Sequence, residues 1–271
     1  MMRTRGFTLV EMIVAIVIAA IVTGFLASFI ATPVNAYLAQ NRRSELSDSA
    51  ESAMRQLTAD LSSALPNSVR IANIGTRRIV EMIPIDDRGL YRNAPYGADQ
   101  DLNESAFETV FDLLRPLNIG ANSRLVIGNR TAGAQSAYQA VGRVITPVGM
   151  AQFVPGPTPR VQLNPAFRFG NASLGRHVYV VSNATQYHCD LATGTLIRYQ
   201  NLPIAAAVVV PAIGGTVMAR DVTTCTWQFS AAPNTAAHGG IATIQMTISR
   251  VTGGNLDRMR IAHQVRLRNP P

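Results

Sequence analysis

A long apolar run near the start of the chain is followed by two weaker periodic patterns, one helical and one extended. Between Phe7 and Ile30 the sequence contains a single charged residue, Glu11. Residues 12–31 number about twenty and are mainly Ile, Val, Ala, Leu, Met and Phe. An α-helix rises ~1.5 Å per residue, so such a run crosses a hydrocarbon core of ~30 Å. The pattern predicts a membrane-spanning helix over residues 7–31.

A second, amphipathic pattern occupies residues 36–65, which contain neither Gly nor Pro. Apolar side chains recur there at steps of three and four, which places them on one face of a helix. The members of this face are Leu46, Ala50, Ala53, Met54, Leu57, Leu61 and Ala64. Pro66 is expected to end the helix, and Pro33 to kink it where it leaves the membrane. We expect one long helix whose amphipathic half covers residues 32–65.

Beyond Pro66 the periodicity shortens to two, which is typical of β-strands. Strands are predicted at SVRIANIG, RRIVEMIPI, SRLVIG, GRVITPV, HVYVVSNATQYHCD, GTLIRYQNL and CTWQFS. Two long alternating segments, GIATIQMTISRV and DRMRIAHQVRLRN, lie on either side of Gly253 and Gly254 and predict a hairpin. Within residues 99–115, a short helix is predicted from the positions of Phe107, Val110, Phe111 and Leu114.

These elements predict an α+β fold. The long N-terminal helix has a transmembrane half and an amphipathic half, and the apolar face of the second half packs on an antiparallel sheet. The β-rich globular domain is expected to cover residues 66–271. A chain of 271 residues is long enough for one such domain with a sizeable core.

Charge excludes one class of partner and orients the chain. The formal net charge is +8, but every basic residue is Arg and the arginines are scattered along the sequence. A nucleic-acid-binding surface is expected to gather basic and aromatic residues into one patch, so we predict no nucleic-acid partner. Arg3 and Arg5 mark the cytoplasmic side of the apolar run by the positive-inside rule. The C-terminal domain is therefore expected in the periplasm, and a single-pass inner-membrane protein is predicted.

An ordinary secretory signal is an alternative interpretation of the N-terminus. Such a signal has an apolar stretch of ~7–15 residues followed by small residues at a cleavage site, and residues 34–36 (VNA) fit that site. The chain would then be a secreted or membrane-anchored β-domain adhesin that starts at Tyr37. Glu11 argues against this alternative, because a carboxylate in an apolar segment is costly and is usually kept for a function.

The segment RGFTLVE, residues 5–11, followed by an apolar helix, resembles the prepilin cleavage and methylation motif of type IV pilins and type II secretion pseudopilins. The resemblance implies that residues 1–6 are a leader. It also implies that prepilin peptidase cuts between Gly6 and Phe7 and methylates the new amino terminus of Phe7. Glu11 then becomes the fifth mature residue. In the resembling family, the ammonium group of a neighbouring subunit approaches this carboxylate, and the attraction of two poorly solvated opposite charges sets the register between subunits.

The rest of the chain carries a more diffuse resemblance. The segments CDLATGTLIRY, DVTTCTWQFS and HQVRLRN look like the minor pilins of the mannose-sensitive haemagglutinin (MSHA) type, the MshO-like proteins, and less closely like pseudopilin J of type II secretion. Major pilins often have a proline where this chain has Ser28 and a glycine where it has Ala20. The resemblance therefore implies a minor structural subunit in the assembly or tip of a type IV pilus. Its implied partners are prepilin peptidase, other pilins bound through the N-terminal helix, and the inner membrane before assembly.

The two cysteines, Cys189 and Cys225, both lie late in the chain. If the apolar run exports the C-terminal domain, they enter an oxidising compartment, and a disulfide is the leading prediction. Two free, buried thiols are the alternative.

The sequence contains no established catalytic motif, and we expect no enzymatic activity and no cofactor. Its four histidines are dispersed. Asp99, Asp101 and Asn103 imitate the start of a calcium loop, but an EF-hand would need Gly in place of Glu104 and Glu in place of Val110. No metal site is predicted, and a weak calcium site at these three residues stays open because some pseudopilins bind calcium. A solvated turn that caps the predicted short helix is the alternative.

Overall fold

A computed structural model describes residues 8–92, 100–130, 136–139, 143–230, 240–252 and 255–267. The chain forms two compact units, Met1–Asp48 and Ser49–Pro271. The first unit is helical where it is described. The second unit contains the last turns of the same helix and all of the described strands.

A single helix, α1 (Leu9–Ser62), contains both predicted helical halves and continues through Pro33. The kink at Pro33 stays a prediction. The helix ends at Ser62 and not at residue 65, because sheet pairing takes over the backbone before Pro66. Ala64 forms an isolated bridge with Pro84, and the Leu65 N–H donates to the Ile83 carbonyl at 2.7 Å.

The amphipathic face of α1 is confirmed from Leu46 to Leu61, and Ala64, just beyond the end of the helix, is buried as well. All seven apolar side chains predicted to share one face are buried, and the four central ones are completely inaccessible to solvent (Ala50, Ala53, Met54 and Leu57). The i, i+3, i+4 spacing thus located the core side of the helix correctly.

Among the described residues, fourteen strands follow the helix. They are β1 (Arg70–Ile74), β2 (Arg77–Met82), β3 (Asp87–Leu90), β4 (Glu108–Asp112), β5 (Arg124–Val126), β6 (Ala151–Val154), β7 (Arg160–Phe167), β8 (His177–Val181), β9 (Ala184–Asp190), β10 (Thr195–Leu202), β11 (Thr216–Ala219), β12 (Val222–Ser230), β13 (Ile241–Thr252) and β14 (Asn255–Arg266). Together with α1 they confirm the predicted α+β fold.

The strands form four antiparallel sheets. One has five strands in the order β1-β2-β9-β10-β11, and three have three strands each, in the orders β12-β13-β14, β3-β8-β5 and β4-β7-β6. The central strand of the five-stranded sheet, β9, is buried along its whole length. An apolar core around Phe111, Phe169 and Val180 lies among the strands of the two smaller sheets built from β3 to β8.

The alternating pattern of the last two strands is also confirmed. Ala242, Ile244, Met246 and Ile248 on β13 are buried, whereas Ile241 and Val251 in the intervening positions are exposed, and of the intervening side chains Thr247 is buried too. The β13–β14 pairing continues to Thr252 and Asn255, which makes the predicted hairpin. Gly253 and Gly254 lie outside the described residues.

Two local predictions were wrong. The segment expected to form a short helix within residues 99–115 contains β4, which pairs with β7 through residues such as Phe111 and Val161. The apolar side chains that suggested a helical face alternate instead, because Phe111 is buried and Phe107 is 63% exposed. The segment GRVITPV contributes only an isolated bridge between Val126 and Ile145.

Candidate functional site

The N-terminus of α1 is capped by a side chain that the sequence reasoning overlooked. The Glu11 backbone N–H donates to the Thr8 Oγ1 at 3.4 Å, and the Met12 N–H donates to the Thr8 carbonyl at 3.2 Å. Thr8 is therefore the N-cap residue, which satisfies one of the backbone donors that a helix leaves unpaired at its start. The signal was available in the sequence, because Thr followed three residues later by Glu is the capping-box pattern.

Glu11 lies in the first turn of α1 and is exposed. A carboxylate is favourable there because the N-terminal end of a helix carries a partial positive charge. Among the described residues, no side chain forms an ion pair with Glu11. Gly6 and Phe7 lie outside the described residues, so the cleavage between them, the methylation of Phe7 and the register role of Glu11 stay predictions.

The residues after Glu11 form an apolar helical surface. The segment Leu9–Leu26 has a mean hydropathy of 2.7 and none of it is buried, so it is long and apolar enough to cross a membrane. The aromatic rings of Phe25 and Phe29 are among the most exposed apolar groups of the chain. The hydroxyl of Thr23 donates to the Ala19 carbonyl at 2.7 Å, which satisfies this polar group within the helix.

The other end of α1 is anchored by a carboxylate with the opposite surroundings. Asp60 accepts a hydrogen bond from the Tyr187 hydroxyl at 2.7 Å and forms an ion pair with Arg198 at 2.7 Å. Burial raises the pKa of Tyr187 above its usual range, and the hydrogen bond to Asp60 raises it further. These contacts fix the last turn of α1 to β9 and β10. Sequence reasoning did not find them, since the partners lie 127 and 138 positions away.

A disulfide joins Cys189 and Cys225, which confirms the leading prediction for the two cysteines. Cys189 lies on β9 of the five-stranded sheet and Cys225 on β12 of the neighbouring three-stranded sheet. The bond closes a segment with a sequence separation of 36 and connects two sheets whose described strands do not pair with each other. In the chain-entropy description such a cross-link stabilises a fold by ~3–4 kcal/mol.

The titratable side chains of the described residues do not gather into a metal centre, since no group of three or more His, Cys, Asp or Glu is positioned to hold an ion. Of the residues proposed for calcium, Asp99 lies outside the described residues. Asn103 accepts the Ser105 N–H at 2.9 Å and so closes a turn. This turn precedes β4 and not the predicted helix.

His188 is buried on β9 in a polar row of the sheet. Its Nε2 lies 2.7 Å from the Gln186 Oε1, and its ring contacts the ring of Tyr199 with 4.6 Å between centroids. Burial lowers the pKa of His188 to about 4, with a smaller effect from the charge of Arg77. The imidazole is therefore neutral at ordinary pH.

Comparison with known proteins finds a similarity at the N-terminus of the chain. The family described as the prokaryotic N-terminal methylation motif matches residues 1–27, which include the cap, Glu11 and the apolar helix. No curated protein and no solved structure matches the chain significantly. The matched segment supports a type IV pilin-like or pseudopilin-like precursor. The motif implies processing by prepilin peptidase and assembly with other pilins, and with the apolar helix it indicates anchoring in a membrane.

Proposed function

We propose that this protein is a minor subunit of a type IV pilus of the MSHA type, cleaved between Gly6 and Phe7 and then built into the assembly or tip of the filament. The observation that carries the proposal is the continuous exposed apolar surface of residues 9–26, which lies within the matched methylation motif of residues 1–27. Such a surface needs an apolar environment at every stage. Lipid provides it before assembly, and the helices of other subunits provide it afterwards.

Glu11 gives this assembly its register. In a bundle of apolar helices, its carboxylate attracts the ammonium group that cleavage creates at Phe7 of an adjacent subunit. Leaving either charge unpaired in such surroundings is costly, so one axial offset between subunits is favoured over the others. The role is structural and involves no catalysis.

The C-terminal domain is proposed to lie in the periplasm before assembly. The disulfide between Cys189 and Cys225 supports this placement, because such bonds persist in oxidising compartments. Arg3 and Arg5, on the other side of the apolar segment, support it through the positive-inside rule. A mass shift on alkylation only after reduction would agree with export, whereas free thiols in cells would contradict it.

Analysis of the mature amino terminus tests the processing step. We expect N-methylated phenylalanine from position 7 in cells with prepilin peptidase, and the intact leader in cells without it. A mature protein that starts at Tyr37 would replace the proposal with a secreted adhesin released by an ordinary signal peptidase.

A Glu11→Ala variant tests the register. Cleavage is expected to continue, while incorporation into sheared filaments falls strongly. The matched control is Glu45→Ala, because Glu45 is an exposed carboxylate farther along the same helix. Equal incorporation of both variants would refute the role of Glu11. Deletion of the gene distinguishes the type of filament, since loss of surface pili is expected for a minor pilin and loss of enzyme export for pseudopilin J.

A further inference from the structure

The sheet β12-β13-β14 has an outer face that carries polar and cationic side chains. On β12 and β13 this face presents Thr224, Thr226 and Gln228 beside Thr243, Gln245 and Thr247, with the exposed apolar side chains of Ile241 and Val251 at its two ends. On β14 it presents Leu256, Arg258, Arg260, Ala262, Gln264 and Arg266, and all six side chains are exposed. We call the described residues on this side of the three strands the outer face.

The outer face has positive charge and no described carboxylate. Arg258 and Arg260 are two residues apart on β14, so their side chains leave the same side of the strand ~6.7 Å apart. Arg260 donates to the Gln245 Oε1, and neither arginine forms a salt bridge with a described residue. The nearest acidic residue in sequence, Asp257, is buried on the opposite side of the sheet.

β14 is also the last strand of its sheet. It pairs with β13 along its whole length and with no other described strand. Within the described part of the chain, its second edge therefore presents backbone N–H and C=O groups that a further strand is able to pair with. Met259 and Ile261, which alternate with the arginines, are only partly buried, and Leu256 is 62% exposed.

We propose that the free edge of β14 binds an extended segment of a partner protein in which acidic and apolar residues alternate. An added strand places alternate side chains on one face at the spacing of Arg258 and Arg260, so that its carboxylates lie opposite the two guanidinium groups. Its intervening apolar side chains cover Met259 and Ile261. Backbone hydrogen bonds supply affinity and the charge pattern supplies specificity.

Two other occupants fit this surface less well. A second copy of β14 paired antiparallel about Ala262 would place Arg258 opposite Arg266, and like charges in directly opposed positions are destabilising. A nucleic acid or sulfated polysaccharide would satisfy the arginines but would leave the strand edge unused. The described outer face also has no aromatic ring on which a base could stack.

The experiment uses the full chain in detergent micelles and a fluorescent ten-residue peptide that alternates glutamate and valine. We expect anisotropy to report binding that weakens as salt rises, because the charged pairs are exposed. The double variant R258Q/R260Q is expected to bind about three- to ten-fold more weakly. The matched control R88Q/R220Q removes the same charge from exposed positions elsewhere and is expected to bind as the unmodified protein does.

Two further probes separate strand addition from simple charge attraction. A lysine–valine peptide of equal length is expected not to bind, and a glutamate–valine peptide N-methylated at alternate residues is expected to lose binding because its backbone donors are blocked. Equal binding of the methylated peptide would overturn strand addition. Absence of peptide binding, binding of the lysine peptide, or binding of a heparin fragment alone would each overturn the proposal. The test is independent of filament assembly, so its failure leaves the proposed function unaffected.

Discussion

Glu11 and Asp60 are carboxylates on the same α-helix with opposite surroundings. Glu11 is exposed on an apolar segment and forms no ion pair with a described residue. Asp60, near the other end, receives the Tyr187 hydroxyl and the Arg198 guanidinium group. The first carboxylate is available to another molecule, whereas the second is used to hold the helix to its own domain.

The same contrast extends to the apolar side chains around the two acids. Leu57 is fully buried, but Val17 is 51% exposed although both lie on one continuous helix. Burial and not helix propensity determines how much each residue contributes to folding, because most helical stability in proteins comes from packing. The C-terminal part of α1 therefore belongs to the folded domain, and the apolar N-terminal part is suited to contacts outside it.

Truncation of an apolar side chain in each part gives the largest expected difference. Leu57→Ala should lower the free energy of unfolding by about 3 kcal/mol, because it removes buried methyl groups and leaves a cavity. Val17→Ala should leave it unchanged within about 0.5 kcal/mol. Urea unfolding in micelles, followed by the fluorescence of the single, buried Trp227, measures both values. Equal losses of unfolding free energy in the two variants would contradict the assignment of the two parts of α1 to different roles.

Removal of each carboxylate charge in turn sharpens the comparison between Glu11 and Asp60. Asp60→Asn should destabilise the domain by about 2–3 kcal/mol, because the largely buried Arg198 loses its charged partner. Glu11→Gln should not change domain unfolding and should act only on incorporation into filaments. The same urea titration, paired with quantification of sheared filaments, separates the two effects. A domain destabilised by Glu11→Gln would contradict the separation.

Acid should weaken the domain through His188, whose pKa is lowered to about 4 by burial. An unfolded chain binds this proton at a pKa of about 6.5, so between pH 6.5 and 4 the unfolded state binds more protons than the folded state does. The free energy of unfolding therefore decreases as the pH is lowered through this range. From pH 7 to pH 5 the loss should be about 2 kcal/mol. His188→Gln should flatten this slope, while His177→Gln, at a less buried site, should flatten it less. Identical slopes for all three proteins would exclude His188 as the cause.

The smallest effect is expected at the surface of the helix. Arg55 forms an i, i+4 ion pair with Glu51 at 3.5 Å, and the two side chains are 63% and 38% exposed. Arg55→Gln should cost no more than about 0.5 kcal/mol. Thermal unfolding of Arg55→Gln and Asp60→Asn side by side measures the loss of stability in each variant. An equally large loss in both would show that exposure does not distinguish the two ion pairs.

The structure was predicted best from the sequence where one hydrophobic periodicity extended over many residues. The helical face from Leu46 to Leu61 and the alternation of β13 repeat one spacing often enough to be recognised. The methylation motif was recognisable because it joins Gly6 and Glu11 at fixed positions to an apolar run. In these regions the local pattern and the final environment agree.

Prediction failed where a distant strand decided the outcome. Phe111 fitted a helical spacing over a few residues, but pairing with Val161 on β7 placed it in a strand. The end of α1 moved to Ser62 because residues beyond it pair with the segment at Ile83 and Pro84. Similarly, nothing near Asp60 in the sequence indicates Tyr187 or Arg198. The division of the predicted sheet into four sheets likewise depends on contacts between distant segments.

The disulfide between β9 and β12 has a mechanical consequence. In the proposed filament a subunit is loaded along its length, and the weakest connection between its parts limits the tension that it transmits. A pull applied to the β12-β13-β14 sheet reaches β9 through a covalent bond, and β9 is joined to the helix by Tyr187 and Asp60. Under tension the two sheets therefore separate only after strands are drawn out of their own sheets, so reduction should lower the rupture force without detaching the helix.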